Sequence, residues 1–305
     1  MENKTKLEVI TPTQTMINEE VEMVVVPGSE GHFGVLPLHA HTLSTLDRGI
    51  VTVYENNDAS NEIIIDGGIA DVSPQGCSIL VEKITNDKKT VVLIDTSPDM
   101  RQQLLKAGVK KIDAVLYTHD HADQSGGIDD LRIFALRKRE RVNVYFDKDT
   151  ASRLIPRFNY CFKSGEKHGY PSILSENIIN PYEELIISGE GGEISFIPFL
   201  QHHGTIFSLG FNYNGIAYSS DVVDFPDKSL KYISNLDYWI VDALRITPHP
   251  THAHLDKTLQ WIKEYNCKKA LLTNMHIDLD YQQLSNDLPN NVKPSYDGYS
   301  FSIDV

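Results

Sequence analysis

The sequence predicts two folded units of different class: an all-β unit over residues 1–84 and an α/β layered unit over residues 85–305. Three observations carry this. Short β-type runs punctuated by turns give way, after residue 84, to strand-like runs that alternate with helical patterns. The acidity is uneven: residues 1–84 hold four Lys or Arg against thirteen Asp or Glu, net -9, while the remainder holds 24 against 29, net -5. Dense groups of metal-ligating side chains fall only in the second part, each behind a strand-like run.

In the first part, Val21–Val26 alternates and then runs apolar, and Gly49–Tyr54 and Asn61–Ile65 flank an Asn-Asn-Asp-Ala-Ser turn, a hairpin signal. Gly67–Val72 and Cys77–Glu82 add two more strands, and together these runs describe a small antiparallel β-sandwich. His39 and His41 have no carboxylate pair nearby, so a structural or surface role is expected of them.

In the second part, Thr90–Asp95 reads as a buried strand, followed by a helix from Met100 to Ala107 that Pro98 and Asp99 open and Gly108 closes. Ile112–Tyr117 is the next buried strand. It leads into Thr118-His119-Asp120-His121-Ala122-Asp123-Gln124, then Gly126-Gly127 and a helix over 128–139. Two histidines one residue apart and a carboxylate two further on form a metal-ligand cluster at the carboxyl end of a strand, where α/β folds place active sites. Further strands are expected at Val142–Phe146, Ile194–Phe199, Phe207–Phe211, Ile216–Ser219, Tyr238–Val241 and Ala270–Thr273, with helices over 150–154, 255–265 and 280–286. Ligand-type residues close three of these strands: His203, Asp221, and the pair Asn274 and His276.

Composition narrows the function classes. A formal net charge of -14 disfavours nucleic acid as a partner, although metals can supply local positive charge for a phosphate ester. Three well-separated cysteines fit a reducing compartment. The start, Met-Glu-Asn-Lys-Thr-Lys, lacks the apolar segment of a signal peptide, and no apolar run approaches the roughly 18–20 residues of a membrane span. A cytoplasmic protein is expected.

Two family resemblances sharpen these expectations. Val26-Pro27-Gly28-Ser29-Glu30-Gly31-His32-Phe33-Gly34-Val35-Leu36-Pro37, then His39-Ala40 and Gly67-Gly68-Ile69-Ala70-Asp71-Val72, resemble the N-terminal β-sandwich of the ATP synthase epsilon subunit. That resemblance implies docking on the gamma subunit and the c-ring, with a peripheral place on the cytoplasmic face of the inner membrane. Leu38 stands where that family usually has glycine, and the two-helix C-terminal hairpin of that subunit is absent.

From about Cys77 onward, the order of ligand groups resembles the metallo-β-lactamase superfamily, a four-layer αββα fold. Leu93-Ile94-Asp95-Thr96-Ser97-Pro98-Asp99, Gly127-Ile128-Asp129-Asp130-Leu131-Arg132, Asp242-Ala243-Leu244-Arg245 and Pro248-His249-Pro250-Thr251-His252 are similar to its phosphoribosyl 1,2-cyclic phosphate phosphodiesterase group. The resemblance implies two divalent ions, manganese or zinc, and a small phosphorylated substrate. His119, His121, His203 and Asp221 would hold one ion. Asp123 and a bridging Asp221 would hold the second, with Gln124 and Asn274 where the family commonly has histidines. His276, two residues beyond Asn274, would reach the same place if the chain there is extended. Asp123 and Asp221 would thus serve the reaction through the ions, and His252 is the expected proton donor to the leaving group. His202 and His254 are expected to be structural or surface residues, and a surface and a functional role stay equally open for His249. Asp129, Asp130 and Arg132 read equally as supporting the site or capping a helix, and His168 is expected on a loop surface, with the substrate entrance as the alternative.

Cys77–Glu82 satisfies both family patterns, so the strand could belong to either unit. Two functions remain open: a metal-dependent phosphodiesterase carrying an epsilon-like domain, or an epsilon-type stalk subunit of proton-driven ATP synthesis with a catalytically weak appendage.

Overall fold

In the computed structural model, which describes residues 4–12, 14–56, 58–81, 84–85, 89–164 and 171–303, the alternating runs of the first part become eight strands. They are β1 (Thr5–Ile10), β2 (Thr15–Val21), β3 (Met23–Gly28), β4 (Gly31–Val35), β5 (Thr42–Glu55), β6 (Asp58–Ser73), β7 (Gly76–Leu80) and β8 (Ile84–Thr85). Their order is β2-β1-β7-β6-β5-β3-β4, with β8 on β6, and every pair is antiparallel except β1 with β7. Inward residues such as Leu7, Val24, Val51, Ile65 and Ile79 form one apolar core. The chain divides into compact units at Met1–Lys88 and Lys89–Val305.

The hairpin expected around residues 56–60 is the turn between β5 and β6. Gly67–Val72 is not a separate strand but the second half of β6. Gly67 and Gly68 sit at φ +79° and +153°, and a Cβ on Gly68 would come within 2.4 Å of the Leu80 carbonyl. Glycine lets β6 bend there and β7 approach. Leu38 adopts φ +63° and is 81% exposed, which accounts for glycine being the residue suited to that position. Residues 76–80 pair with β6, from Val72↔Cys77 to Ile69↔Leu80, and with β1. The strand that reads both ways is therefore paired inside the sandwich. Glu82 and His168 lie outside the described residues.

The second unit holds two sheets. One is parallel, in the order β12 (Leu174–Ile178), β11 (Val142–Phe146), β10 (Ala114–Leu116), β9 (Val92–Ile94). The other runs β13 (Leu185–Gly189), β14 (Gly192–His203), β15 (Ile206–Tyr213), β16 (Ile216–Ser219), β17 (Tyr238–Asp242), β18 (Lys269–Thr273), β19 (Val292–Pro294). It is antiparallel from β13 to β16 and parallel from β16 to β19.

Strand β10 explains the layering. Ala114 and Leu116 pack between the sheets with Leu209 and Phe211. Val115 and Tyr117 pack on the outer side against Leu131, Phe134 and Leu154. With both faces covered, a parallel strand must be apolar throughout.

The outer layers are helical. On one side lie α1 (Met100–Lys106), α3 (Arg132–Lys138), α4 (Lys148–Arg157) and α5 (Asn159–Phe162), while the short α2 (Ala122–Ser125) continues the loop after β10. On the other, α6 (Leu255–Glu264) buries Trp261 and Ile262 against Trp239 of β17; α7 (Tyr281–Asp287) precedes β19. The helix expected over 128–139 is divided, a 3₁₀ turn Ile128–Leu131 preceding α3, which Arg139 ends in the left-handed region. The architecture is αββα.

Candidate metal centre

The loop after β10 is fixed before any ligand is considered. The Thr118 amide and hydroxyl both donate to Asp95, at 2.8 Å each, and the Leu209 amide donates to the Thr118 carbonyl at 2.8 Å, tying the loop to β15. Asp120 turns the other way. Its carboxylate accepts from Arg153 Nε at 2.6 Å and Arg157 Nη2 at 3.2 Å, and its carbonyl accepts from Arg157 Nη1 at 2.5 Å. Burial alone would raise this carboxyl, but the two guanidinium groups hold it below the usual carboxylate range.

These anchors aim the imidazoles. The Thr118 hydroxyl spends its proton on Asp95, so its oxygen accepts from His119 Nδ1 at 3.0 Å. His119 Nε2 then carries a lone pair, and it is buried with no hydrogen-bond partner. His203, at the end of β14, donates from Nδ1 to the Thr251 carbonyl at 2.8 Å, which likewise frees its Nε2. The following Gly204 has φ +64°, and a Cβ there would lie 2.5 Å from Thr251 Cγ2. Glycine thus permits the contact that orients His203.

His119, His121, His203 and Asp221 converge, each offering one ligand atom, all within 4.8 Å of one another. His203 Nε2 lies 3.3 Å from His121 Nδ1, and Asp221 Oδ2 lies 3.4 Å from His119 Nε2 and 3.7 Å from His203 Nε2. Four ligands placed tetrahedrally at about 2.0–2.1 Å from one ion stand about 3.3–3.4 Å apart. Burial holds the imidazoles of His121 and His203 below their ordinary value, which favours the neutral, ligating form. Converging imidazole nitrogens and a buried carboxylate suit a divalent cation.

His252 borders this group. Its ring centroid is 4.8 Å from that of His203, and its Nδ1 donates to Asp242 Oδ2 at 2.8 Å. Burial works against the protonated ring, but Asp242, Asp221 and Asp123 outweigh it and the value is raised. Asp242 itself is pushed up to about 6 by burial. His249 lies beside His252, and the Thr251 amide and hydroxyl contact it at 3.4 and 3.2 Å.

The other expected ligands are placed differently. Gln124 Nε2 donates to Asp123 Oδ2 at 3.2 Å and to Asp221 Oδ1 at 3.3 Å, and Asn274 Nδ2 donates to Asp221 Oδ1 at 2.6 Å. His276 does not join the cluster. Asn274 has φ +62°, so the chain turns instead of continuing extended. His276 is half exposed, with Nδ1 3.2 Å from Asp278 Oδ1, and its amide donates to the Leu244 carbonyl. The expectation that residues 274 and 276 share a face is therefore corrected. His202 packs against Phe207 with the rings tilted, and Asp129 accepts from Tyr160.

A cavity of about 890 Å³ adjoins Asp123, Gln124 and Asn274, with Tyr218, Tyr296 and Tyr299 in its wall and no Lys or Arg among its described lining residues. Sequence reasoning assigned no role to Asp95, Thr118, Asp120, Arg153, Arg157 or Thr251. Asp95 and Asp242 stood at strand ends and could have been found there. Arg153 and Arg157 carried no signal, because α4 is brought to the loop only by the fold.

Comparison with known proteins agrees with this division. Residues 90–277 match the beta-lactamase superfamily domain, and residues 4–87 match the beta-sandwich domain of the ATP synthase delta/epsilon chain. An octanoyltransferase of Porphyromonas gingivalis is 28% identical over 224 residues, 72% of this chain and 44% of that protein. The ATP synthase epsilon chain of Rhodospirillum rubrum is 37% identical over 83 residues, 27% of this chain and 62% of that one. The chain thus spans under two thirds of either curated relative. A crystal structure of a diphosphatase from the PhnP family superposes with TM-score 0.63 at 27% identity, covering 85% of each chain. Zinc-bound PqqB from Methylobacterium extorquens shares the fold at TM-score 0.53 and 14% identity, covering 92% of this chain and 100% of that one.

Proposed function

Since the chain belongs to the beta-lactamase superfamily, we propose that its second unit is a metal-dependent phosphodiesterase acting on a small phosphorylated substrate. The observation that carries the reading is the convergence of His119, His121, His203 and Asp221 beside a carboxylate-backed His252. The donor set fits zinc, manganese or iron. A divalent ion held there would acidify a bound water and neutralise phosphoryl oxygens. That charge is needed, since the adjoining cavity has no Lys or Arg among its described lining residues.

The chain's own residues do the rest. Thr118 and the Thr251 carbonyl keep protons on the Nδ1 atoms of His119 and His203, so the Nε2 atoms face inward. Asp242 accepts from His252 Nδ1, leaving Nε2 to carry the proton that a departing alkoxide requires. Likeness to a PhnP-family diphosphatase supports phosphorus over carbon as the site of attack.

The test combines metal analysis with hydrolysis of a generic phosphodiester. His121→Ala and Asp221→Ala are expected to lose both metal and turnover. Absence of bound metal, with no turnover in added manganese, would overturn the reading.

A second reading rests on the first unit, whose match to the epsilon-chain domain extends over residues 4–87. It makes the chain a stalk component that binds a gamma subunit and c-ring, peripheral to the membrane. No helix of the described residues is long and apolar enough to cross a membrane. Co-purification with a gamma subunit at native expression supports this reading; its absence refutes it.

A further inference from the structure

Resting on the metal-dependent reading above, we infer that the centre takes one ion and not two, because Gln124 and Asn274 hydrogen-bond the outer oxygen of Asp221 where a second ion would bind. The two oxygens of Asp221 face different surroundings. Oδ2 faces His119 and His203, at 3.4 and 3.7 Å. Oδ1 accepts from Asn274 Nδ2 at 2.6 Å and from Gln124 Nε2 at 3.3 Å. A carboxylate that bridges two ions with one oxygen to each needs both oxygens open to cations, and Oδ1 is already met by two N–H groups.

Distance excludes a simple exchange of amide nitrogen for amide oxygen. Two oxygens on one ion at about 2.1 Å, a right angle apart, stand about 3.0 Å from each other. The Asn274–Asp221 separation of 2.6 Å is a hydrogen-bond length and is too short for a shared ion. Gln124 is committed further: its NH₂ serves Asp221 with one hydrogen and Asp123 Oδ2, at 3.2 Å, with the other. Asp123 is thereby bound to an amide rather than turned toward a cation. The backbone agrees, since Asn274 occupies the left-handed region, which asparagine tolerates well. His276 does not compensate, as it is turned to Asp278.

The four-residue group by contrast offers three imidazoles and a carboxylate to one ion. Gln124 and Asn274 are on this account positioning residues. They hold Asp221 in the orientation that presents Oδ2 inward, a task a second cation would otherwise perform.

The experiment counts ions in the full-length chain. Protein saturated with Mn(II) or Zn(II) is freed of excess metal and measured by elemental analysis and native mass spectrometry. One ion per chain is expected, with the Mn(II) form giving the electron paramagnetic spectrum of an isolated ion. The double variant Gln124→His/Asn274→His, checked for folding by circular dichroism, is expected to bind two. A wild-type chain that binds two ions and shows an exchange-coupled manganese pair overturns the inference. So does a folded double variant that still binds one, since other residues would then be excluding the second ion. A wild-type chain that binds none overturns the metal-dependent reading as well, which separates the two failures. Where the double variant does not fold, the wild-type ion count and spectrum decide alone.

Discussion

Thr118→Val removes one hydroxyl and little volume, and it probes how the centre is aimed. The hydroxyl makes two contacts, donating to Asp95 Oδ2 at 2.8 Å and accepting from His119 Nδ1 at 3.0 Å. Without it His119 loses the group that fixes its tautomer. Loss of such an outer partner weakens metal binding by about 10–100-fold, or about 1.4–2.7 kcal/mol. Asp95 keeps the Thr118 amide, but Oδ2 loses its donor in the interior, which costs about 1–3 kcal/mol of stability. For a unit of this size each kcal/mol is a melting shift of about 2–4 °C. Metal affinity is to be measured by competition with a chromophoric chelator, and stability by thermal melting of the metal-free chain. An affinity within twofold of wild type would refute the claim that Thr118 sets the His119 tautomer.

His252→Gln keeps a donor to Asp242 but removes the proton supply; kcat on an alkyl diester should fall about 10²–10⁴-fold, while a substrate with a nitrophenolate leaving group and the metal content should change little. Equal losses on both substrates would refute the proton-donor role. Leu38→Gly relieves a left-handed leucine that is 81% exposed and should raise stability by about 0.5–1 kcal/mol in urea unfolding; a loss would show that the side chain is held by something else. Asp120, kept below its ordinary value by Arg153 and Arg157, adds stability above its unfolded value of about 4. That share is lost as pH falls through the lower folded value, so Arg153→Gln should reduce stability near neutrality and flatten the acid limb of urea midpoint against pH. An unchanged limb would refute the coupling.

Much of this protein was legible along the chain. Short-range patterns sufficed for the two fold classes, since the period of apolar residues reports which faces are covered, and Ala114–Tyr117 is apolar because β10 is covered on both. The grouping of His119, His121, His203 and Asp221 was readable because metal-ligating side-chain types at strand ends are local signals, each a few residues long. Less was legible where the backbone leaves its regular path. The expected reach of His276 assumed an extended chain, and a single left-handed residue, Asn274, redirected it. The ambiguous strand at residues 76–80 could not be assigned from its own sequence, because hydrogen-bond partners are chosen by the neighbouring strands β1 and β6.

The sequence by itself determined the side chains available to this protein: three imidazoles, a set of carboxylates and a further histidine, His252, in an αββα unit behind a β-sandwich. Only the tertiary structure decided how each polar group is used. Arg153 and Arg157 reach Asp120 from 33 and 37 positions away, and Asn274 reaches Asp221 from 53. Which donor meets which carboxylate oxygen depends on distances of tenths of an ångström between segments far apart in the chain, and no local pattern encodes them.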